Sequence, residues 1–298
     1  FNIDIAAVKT KDWSFNFGFN ISQNKNEILE LPENKNDELY TFGNKNYAYS
    51  VMMGDPLGSF YGYRYKGVYQ NVEETYAVNT SGQRILDIDG NPVVMKNGDQ
   101  KVYPGDARYE DVNGDGVIDE NDIVYLGNSN PTLTGGLNFT LRYKKVSLVA
   151  AFHGRAGQKV INQARMDMEN MRGKNNQSVA VLRRWRSEGD DTDIPRALYD
   201  KGYNYLGSDR FVEDASFLRL KTVTLKYQMP AKWMKAIGVN KLELYATGYD
   251  MFVWTKYKGQ DPEVNLKAAN DGTVAQVAID SNNTPKPFKI AFGLNLNF

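Results

Sequence analysis

The sequence predicts an all-β fold, a transmembrane antiparallel β-barrel wall with long loops on one side. Three observations carry this. Apolar and polar side chains alternate strictly in seven separate segments. The connections between those segments run short, long, short, long, short, long. The longest apolar run, Val146 to Phe152, is interrupted by Ser147, so no stretch resembles a spanning helix. A barrel shows no such stretch, because only half of its strand residues face lipid.

The strands can be justified in order. Phe1, Ile3, Ile5 and Ala7 alternate with Asn2, Asp4 and Ala6, and a turn follows at Thr10-Lys11-Asp12. Trp13, Phe15, Phe17, Phe19 and Ile21 then alternate with Ser14, Asn16, Gly18, Asn20 and Ser22. Side chains on a strand point to opposite faces in turn, so each segment has one apolar face. Alternation stops over residues 23–132, a stretch rich in Asn, Asp, Gly and Tyr and too long for an unstructured loop in a compact domain. It returns at Leu137, Phe139, Leu141 and Tyr143, turns at Lys144-Lys145, and continues through Val146, Leu148, Ala150 and Phe152. A second irregular stretch, 154–210, carries two expected short helices, over Ile161–Arg172 and Ser178–Arg186. Val223, Leu225, Tyr227 and Met229 form the next strand. A helical turn over Pro230–Gly238 leads to Leu242, Leu244 and Ala246, with the pattern blurring near Asp250. A third irregular stretch, about 255–285, precedes Phe288, Ile290, Phe292, Leu294, Leu296 and Phe298.

That last strand, taken alone, fits a soluble sandwich edge as well as a barrel. The parity of the connections separates the two. Outer-membrane barrels have short periplasmic turns and long extracellular loops. If the last strand ends in the periplasm, the turns at Lys11, Lys144 and Pro230–Gly238 all fall on that side. A sandwich has no reason to keep the alternation. The chain opens at Phe1 already in strand alternation, which reads as a piece of a longer chain that supplies the remaining strands.

Composition narrows the function. Lys plus Arg and Asp plus Glu both number 36, which argues against a nucleic-acid footprint. There is no cysteine, hence no disulfide frame and no thiolate metal site. One histidine, His153, and no serine-nucleophile motif leave little for nucleophilic catalysis, and no carboxylate pair is singled out. The reading is a protein that is not an enzyme.

The sharpest motif runs from Asp111 to Asp122. Asp111, Asn113 and Asp115 supply side-chain oxygens, Gly116 permits the sharp turn, Val117 offers its carbonyl, and Asp119 and Asp122 complete the spacing of a Ca²⁺ loop. The alternative is an Asx-turn loop without metal. The expected role is to stiffen a surface loop, since no paired helices flank it as in a sensor. Tyr61, Tyr63, Tyr65 and Tyr69 offer rings that could stack on sugars or line a peptide groove, against the alternative of plain packing. Trp185, flanked by Arg183, Arg184 and Arg186, is a further candidate for contact with substrate.

Several segments together resemble one family. Gly54-Asp55-Pro56-Leu57-Gly58-Ser59-Phe60-Tyr61-Gly62-Tyr63 is similar to a signature of SusC/RagA-type TonB-linked outer-membrane transporters, as is Pro104-Gly105-Asp106-Ala107-Arg108-Tyr109 leading into the Asp111 loop. Asn130-Pro131-Thr132, Arg184-Trp185 with Thr192–Arg196, Asp214–Lys221 and Tyr257–Glu263 resemble further blocks in the same order. One departure is Asp250, where the family usually has asparagine. The resemblance implies the C-terminal portion of a barrel of roughly 22 strands, with an N-terminal plug and a TonB-contacting segment outside this sequence. It implies a SusD-like surface lipoprotein as a lid, outer-membrane lipid around the wall, and import of oligosaccharides or peptides driven through TonB. Residues 288–298 then become the closing strand, and Phe298 the terminal aromatic of an assembly signal. Readings of other classes are a calcium-stabilised surface adhesin or structural β-protein, and an outer-membrane hydrolase.

Overall fold

The computed structural model describes residues 1–31, 40–41, 47–49, 52–199, 202–236, 238–268 and 276–297. Its main element is a seven-stranded antiparallel sheet whose spatial order follows the chain. The strands are β1 (Asn2–Lys9), β2 (Trp13–Gln23), β3 (Leu133–Tyr143), β4 (Val146–Ala156), β5 (Phe217–Gln228), β6 (Lys241–Thr255) and β7 (Lys289–Asn297). Consecutive strands pair as neighbours, which is the meander a barrel wall requires. Phe298 lies outside the described residues.

The register sorts the side chains by face. One row runs Ile5, Phe17, Phe139, Ala150, Val223, Gly248 and Ile290. The next runs Phe15, Leu141, Leu148, Leu225, Ala246 and Phe292. Apart from buried Ala150, these apolar side chains are half-buried or exposed and join no core cluster. Phe292 is 82% exposed, and Ile290, Leu294, Leu225 and Leu244 are exposed too. A continuous bare apolar face of this extent is what lipid covers and water does not tolerate.

Aromatic side chains mark both ends of the face. Trp13 and Tyr143 pair across β2 and β3 with ring centroids 4.3 Å apart, and Lys144 Nζ sits 5.2 Å from the Tyr143 ring. At the opposite end Phe152 and Trp254 lie 6.3 Å apart, and Phe252 is 6.1 Å from Trp254. Leu244 and Trp254 bracket a run of β6 about 33 Å long, or about 25 Å high at a tilt of roughly 40°, the height of a barrel's lipid band.

The other face is largely polar, with glycines where neighbouring side chains lie across the sheet. Gly18 lies between Asp4 and Asn138 in the register, and a Cβ on it would come within 2.6 Å of both side chains. Gly293 lies under Tyr245, where a Cβ would come within 2.3 Å of the ring.

Three strands reach further than the alternation suggests. β3 starts at Leu133, because Gly135 and Gly136 have no side chains to show the period. β5 starts at Phe217, and β6 continues to Thr255. The register of these two strands shifts where Lys221 faces Asp250 and Met251. Asp250 sits at φ 49°, a left-handed conformation that Asp and Asn adopt more readily than most residues. That bulge is the blur in the sequence. The expected helices are shorter than anticipated: α1 spans Gln163–Glu169, a 3₁₀ turn covers Val179–Arg183, and α2 covers Ala231–Ala236.

Most of the buried core lies in the long connections. One cluster joins all three: Tyr47 and Phe60 from residues 24–132, Ile161, Met166 and Phe211 from 157–216, and Val277 from 256–288. A second, around Tyr69, Met95, Val102 and Tyr109, lies within the first connection. A third links Val160 and Ala215 to Tyr257 and Val264.

Candidate functional site

The three long connections leave the same end of the wall, so the body they form is where a ligand would be met. Its frame is built from short strands. Ser59–Gly62 pairs with Val124–Asn128, Tyr65–Val68 with Ala107–Tyr109, and Lys159–Ile161 with Val212–Asp214.

Polar clamps then tie separate sequence motifs together in pairs. Asn130 Nδ2 donates to the Leu57 carbonyl at 2.6 Å, joining the Gly54–Tyr63 and Asn130–Thr132 blocks. Arg196 grips Asp106 with two bonds, Nε to Oδ1 at 2.7 Å and Nη2 to Oδ2 at 3.1 Å. Asn204 Nδ2 and the Tyr103 N–H also donate to that carboxylate. This joins the Pro104–Tyr109 and Thr192–Arg196 blocks with the planar geometry in which arginine is strongest.

The last two blocks meet at an ion cluster against the polar face of the wall. Arg219 Nη2 donates to Asp261 at 2.6 Å, and its Nε lies 3.1 Å from Glu263. Lys221 reaches Asp250 and Glu263, both at 3.3 Å, and Lys286 reaches Glu263 at 2.5 Å. Three cations thus face three carboxylates, which compensates the burial of Arg219. Burial alone would raise the Glu263 carboxyl, but Lys286 and Lys221 outweigh it and bring it down to about 2. Asp250, the departure from the family pattern, is part of this cluster. The sequence reading missed Arg219, Lys221, Asp261, Glu263 and the Asp106–Arg196 clamp as a connected set. The signal was present as separate motif blocks; their pairing is a property of the fold.

The tyrosines chosen as ligand contacts are built into this body. Tyr61 and Tyr69 are buried. Tyr61 donates to Asp55 Oδ2 at 2.6 Å, and Tyr65 donates to the Asp193 carbonyl at 2.5 Å. Tyr63 and Tyr65 both pack on Tyr109, with centroids 5.7 and 5.8 Å away. Burial pushes the Tyr63 and Tyr69 hydroxyls up to about 12. Trp185 is half-buried against Gly105, with no room for a Cβ between the ring and the Gly105 backbone. The structure brings Tyr63, Tyr65 and Tyr69 together as packing, sets Tyr61 against Tyr125 instead, and gives Trp185 a separate place beside the Arg196 clamp.

In the Asp111 loop, the carboxylates are turned onto the backbone. Asp111 accepts the N–H groups of Gly114 at 2.7 Å and Gly116 at 2.8 Å, and Asp115 accepts that of Val117 at 2.8 Å. Asn113 Nδ2 donates to Asp115. Asp122, fully buried, accepts Val112 N–H at 2.7 Å and Asp119 N–H at 2.9 Å, and Asp119 accepts that of Asn121. Burial raises the Asp122 carboxyl above its ordinary range. Gly114 and Gly116 take the left-handed conformations the loop requires, at φ 71° and 86°. Among the described residues, no three acidic or imidazole side chains gather as a metal site. The loop has the calcium spacing and, in this conformation, an Asx-turn scaffold.

Of the proposed assembly strand, Phe288 and the described β7 residues Ile290, Phe292, Leu294 and Leu296 all have exposed side chains.

Comparison with known proteins points to TonB-dependent receptors. No protein-family model matches the chain. The TonB-dependent receptor P26 of Formosa agariphila is 32% identical over 304 residues, covering all of this chain and 28% of that receptor. The TonB-dependent receptor SusC of Bacteroides thetaiotaomicron is 26% identical over 309 residues, covering all of this chain and 26% of SusC. The RagAB peptide importer in its closed-closed state superposes with a TM-score of 0.70 at 24% identity, covering the whole chain and 29% of the solved one, which speaks to the fold. The chain therefore spans just over a quarter of the length of these relatives. Over that whole span, the chain is similar to a portion of the TonB-dependent receptors, SusC among them, and its seven-strand meander shares the fold of the RagAB importer.

Proposed function

We propose that this chain is part of an outer-membrane importer of oligosaccharides or peptides, working with a SusD-like surface lipoprotein and energised through TonB. One observation carries the reading. The wall leaves its apolar face bare, while the three long connections bury a shared core at one end. A wall of this kind is made for lipid, and a rigid body over one mouth is made to meet something from outside. The role is capture and passage, with no covalent step. The extracellular placement of the loops and a wall completed by strands elsewhere in the full receptor belong to the same proposal.

The test uses the full-length receptor. Cells that carry it should accumulate labelled oligosaccharides or peptides, and a protonophore should abolish the accumulation. Uptake that is equal without the receptor, or indifferent to the protonophore, overturns the reading. Purified protein should show heat-modifiable mobility in detergent. A water-soluble monomer would instead favour the adhesin. Hydrolysis of a glycan or peptide that is lost on replacing one acidic residue would favour the hydrolase.

Calcium binding at the Asp111 loop is a separate part of the proposal. It rests on the spacing of Asp111, Asn113, Asp115, the Val117 carbonyl, Asp119 and Asp122, whose oxygens have lone pairs beyond those facing the backbone. Calorimetric titration of the full receptor with Ca²⁺ should give saturable binding that Asp115→Ala weakens. No heat of binding at saturating Ca²⁺ would leave the loop as an Asx-turn scaffold.

A further inference from the structure

The end of the wall away from the long connections carries charge of one sign. It is closed by three short connections: the β1–β2 turn, the β3–β4 turn and the stretch through α2 between β5 and β6. Lys11, Lys144, Lys145 and Lys232 are exposed in them, and Asp12 is their one carboxylate in the sequence. Lys226 and Lys241, on the strands nearby, share Glu243 at 3.8 and 3.9 Å. Among the described residues the four turn lysines enter no ion pair. A surface made only for solubility mixes both signs.

Ordinary turn chemistry does not account for these lysines either. Tyr143 pairs with Val146, so β3 and β4 join through a two-residue turn. Such turns favour asparagine and glycine, which accept a positive φ. Lys144 takes φ 52° here, against the preference of its side chain. Its ammonium stays 5.2 Å from the Tyr143 ring, beside Trp13. The register extends that row along the bare face as Trp13, Tyr143, Val146, Tyr227, Leu244 and Leu294, all exposed. Tryptophan and tyrosine at the edge of a lipid band sit at headgroup level. The lysines lie just beyond this row, with exposed Trp233 next to Lys232.

The opposite end of the bare face differs. There Asp214 and Lys256 line one depression beside Trp254, so charge of both signs meets the headgroup level. At the short-turn end the ammoniums lack a counter-charge from the protein. Anionic headgroups lie in the same plane and supply one, whereas a zwitterionic headgroup brings its own cation.

We propose that the short-turn rim binds anionic phospholipid headgroups through Lys11, Lys144, Lys145 and Lys232. The proposal rests on the reading of the bare face as a lipid-facing wall and goes beyond it: one end of the wall selects headgroup charge and the other does not.

The experiment uses the full-length receptor in phosphatidylcholine vesicles doped with a photoactivatable lipid, either phosphatidylglycerol or phosphatidylcholine, reactive near the headgroup. Crosslinks are mapped on chymotryptic peptides by mass spectrometry. At low salt the phosphatidylglycerol probe should label residues 9–13, 142–147 and 229–241 at least about threefold more than the phosphatidylcholine probe. The two probes should label residues 250–258 equally. The excess should shrink as salt is raised, because exposed charges are screened. It should vanish when all four lysines are replaced by glutamine and return when they are replaced by arginine. The salt titration on the unaltered receptor keeps the test valid if the glutamine variant fails to insert. Equal labelling of the turns by both probes, an excess that ignores salt, or an excess that survives the glutamine replacements overturns the proposal. Those outcomes, with the wall strands still labelled by both probes, leave the importer reading standing. A wall that neither probe labels would bring down the lipid-facing wall and this proposal with it.

Discussion

The wall and the body above it solve opposite problems with the same residue types. In the wall, Phe292 and Leu225 stand out bare, and the polar groups turn to the other face. In the loop body, Phe60 and Phe211 are fully buried, and charged groups close over them in pairs such as Arg210–Glu169 at 2.9 Å. The wall is held by a backbone ladder and needs an apolar solvent. The body is held by a conventional core and needs water outside it. A substitution should therefore damage one region and spare the other, and which it damages depends on the solvent that region faces.

The largest expected effect lies in the body. Phe60→Ala should cost about 3–5 kcal/mol, the usual range for a fully buried ring. Because Phe60 sits in the cluster shared by all three connections, proteolysis of all three should rise together. Heat-modifiable mobility of the receptor should persist. Loss of that mobility, or cleavage confined to residues 24–132, would break the comparison.

The reverse case is Phe292→Arg. On a lipid face a new arginine costs about 2–4 kcal/mol at mid-height and about 0–1 kcal/mol near the girdles. Phe292, opposite Ala246, lies towards the Leu244 end, so a cost between these is expected. The amount of receptor in the outer membrane should fall, while the receptor that does insert keeps protease-resistant loops. Unchanged membrane levels would mean that this face does not meet lipid.

How much of this was legible in sequence follows the same division. The wall was legible because period two is a local signal, readable wherever Phe, Leu and Ile alternate with Asn, Ser and Gly. It faded only where side chains are absent, at Gly135 and Gly136, or where the period itself breaks, at Asp250. The body was not legible in this way. Its strands are two to five residues long, and their partners are distant in sequence, such as Lys159–Ile161 with Val212–Asp214. Motif blocks could be recognised one by one, yet nothing local says that Asp106 meets Arg196 or that Arg219 meets Asp261. The tyrosine run shows the same limit. Alternating rings at Tyr61, Tyr63, Tyr65 and Tyr69 suggest a binding surface, and only the fold reveals how much of each ring is covered.

A milder substitution probes the joint between motif blocks. Arg196→Lys keeps the charge on Asp106 but gives up the two-pronged grip, because an ammonium is a point charge. Stability of the body should fall by about 1–3 kcal/mol, the scale of a charged hydrogen bond left unmade. Hydrogen exchange should rise in residues 103–109 and 192–206 and stay unchanged across the wall. Exchange that rises equally in β3 and β4 would mean that body and wall unfold as one unit.

The smallest effect separates the two regions by pH. Glu263 fastens the third connection to the polar face of the wall, and its folded value of about 2 lies below the ordinary 4.5. A lowered carboxyl stabilises the folded state above the unfolded value and loses that contribution as pH falls through the folded one. The fastening should therefore be fully present at pH 7 and weaken from about pH 4.5 towards pH 2. Asp122 has the opposite sign: its raised carboxyl favours the folded loop in acid and loses that advantage as pH rises through the folded value. Acid should thus loosen residues 256–288 before residues 111–122, as read by hydrogen exchange at stepped pH. In Glu263→Gln the third connection should already be loose at pH 7, and its exchange should respond less to acid than in the parent. Matching pH profiles for parent and variant would show that the connection is held by its buried core around Val277 and Tyr257, with the ion cluster adding nothing measurable.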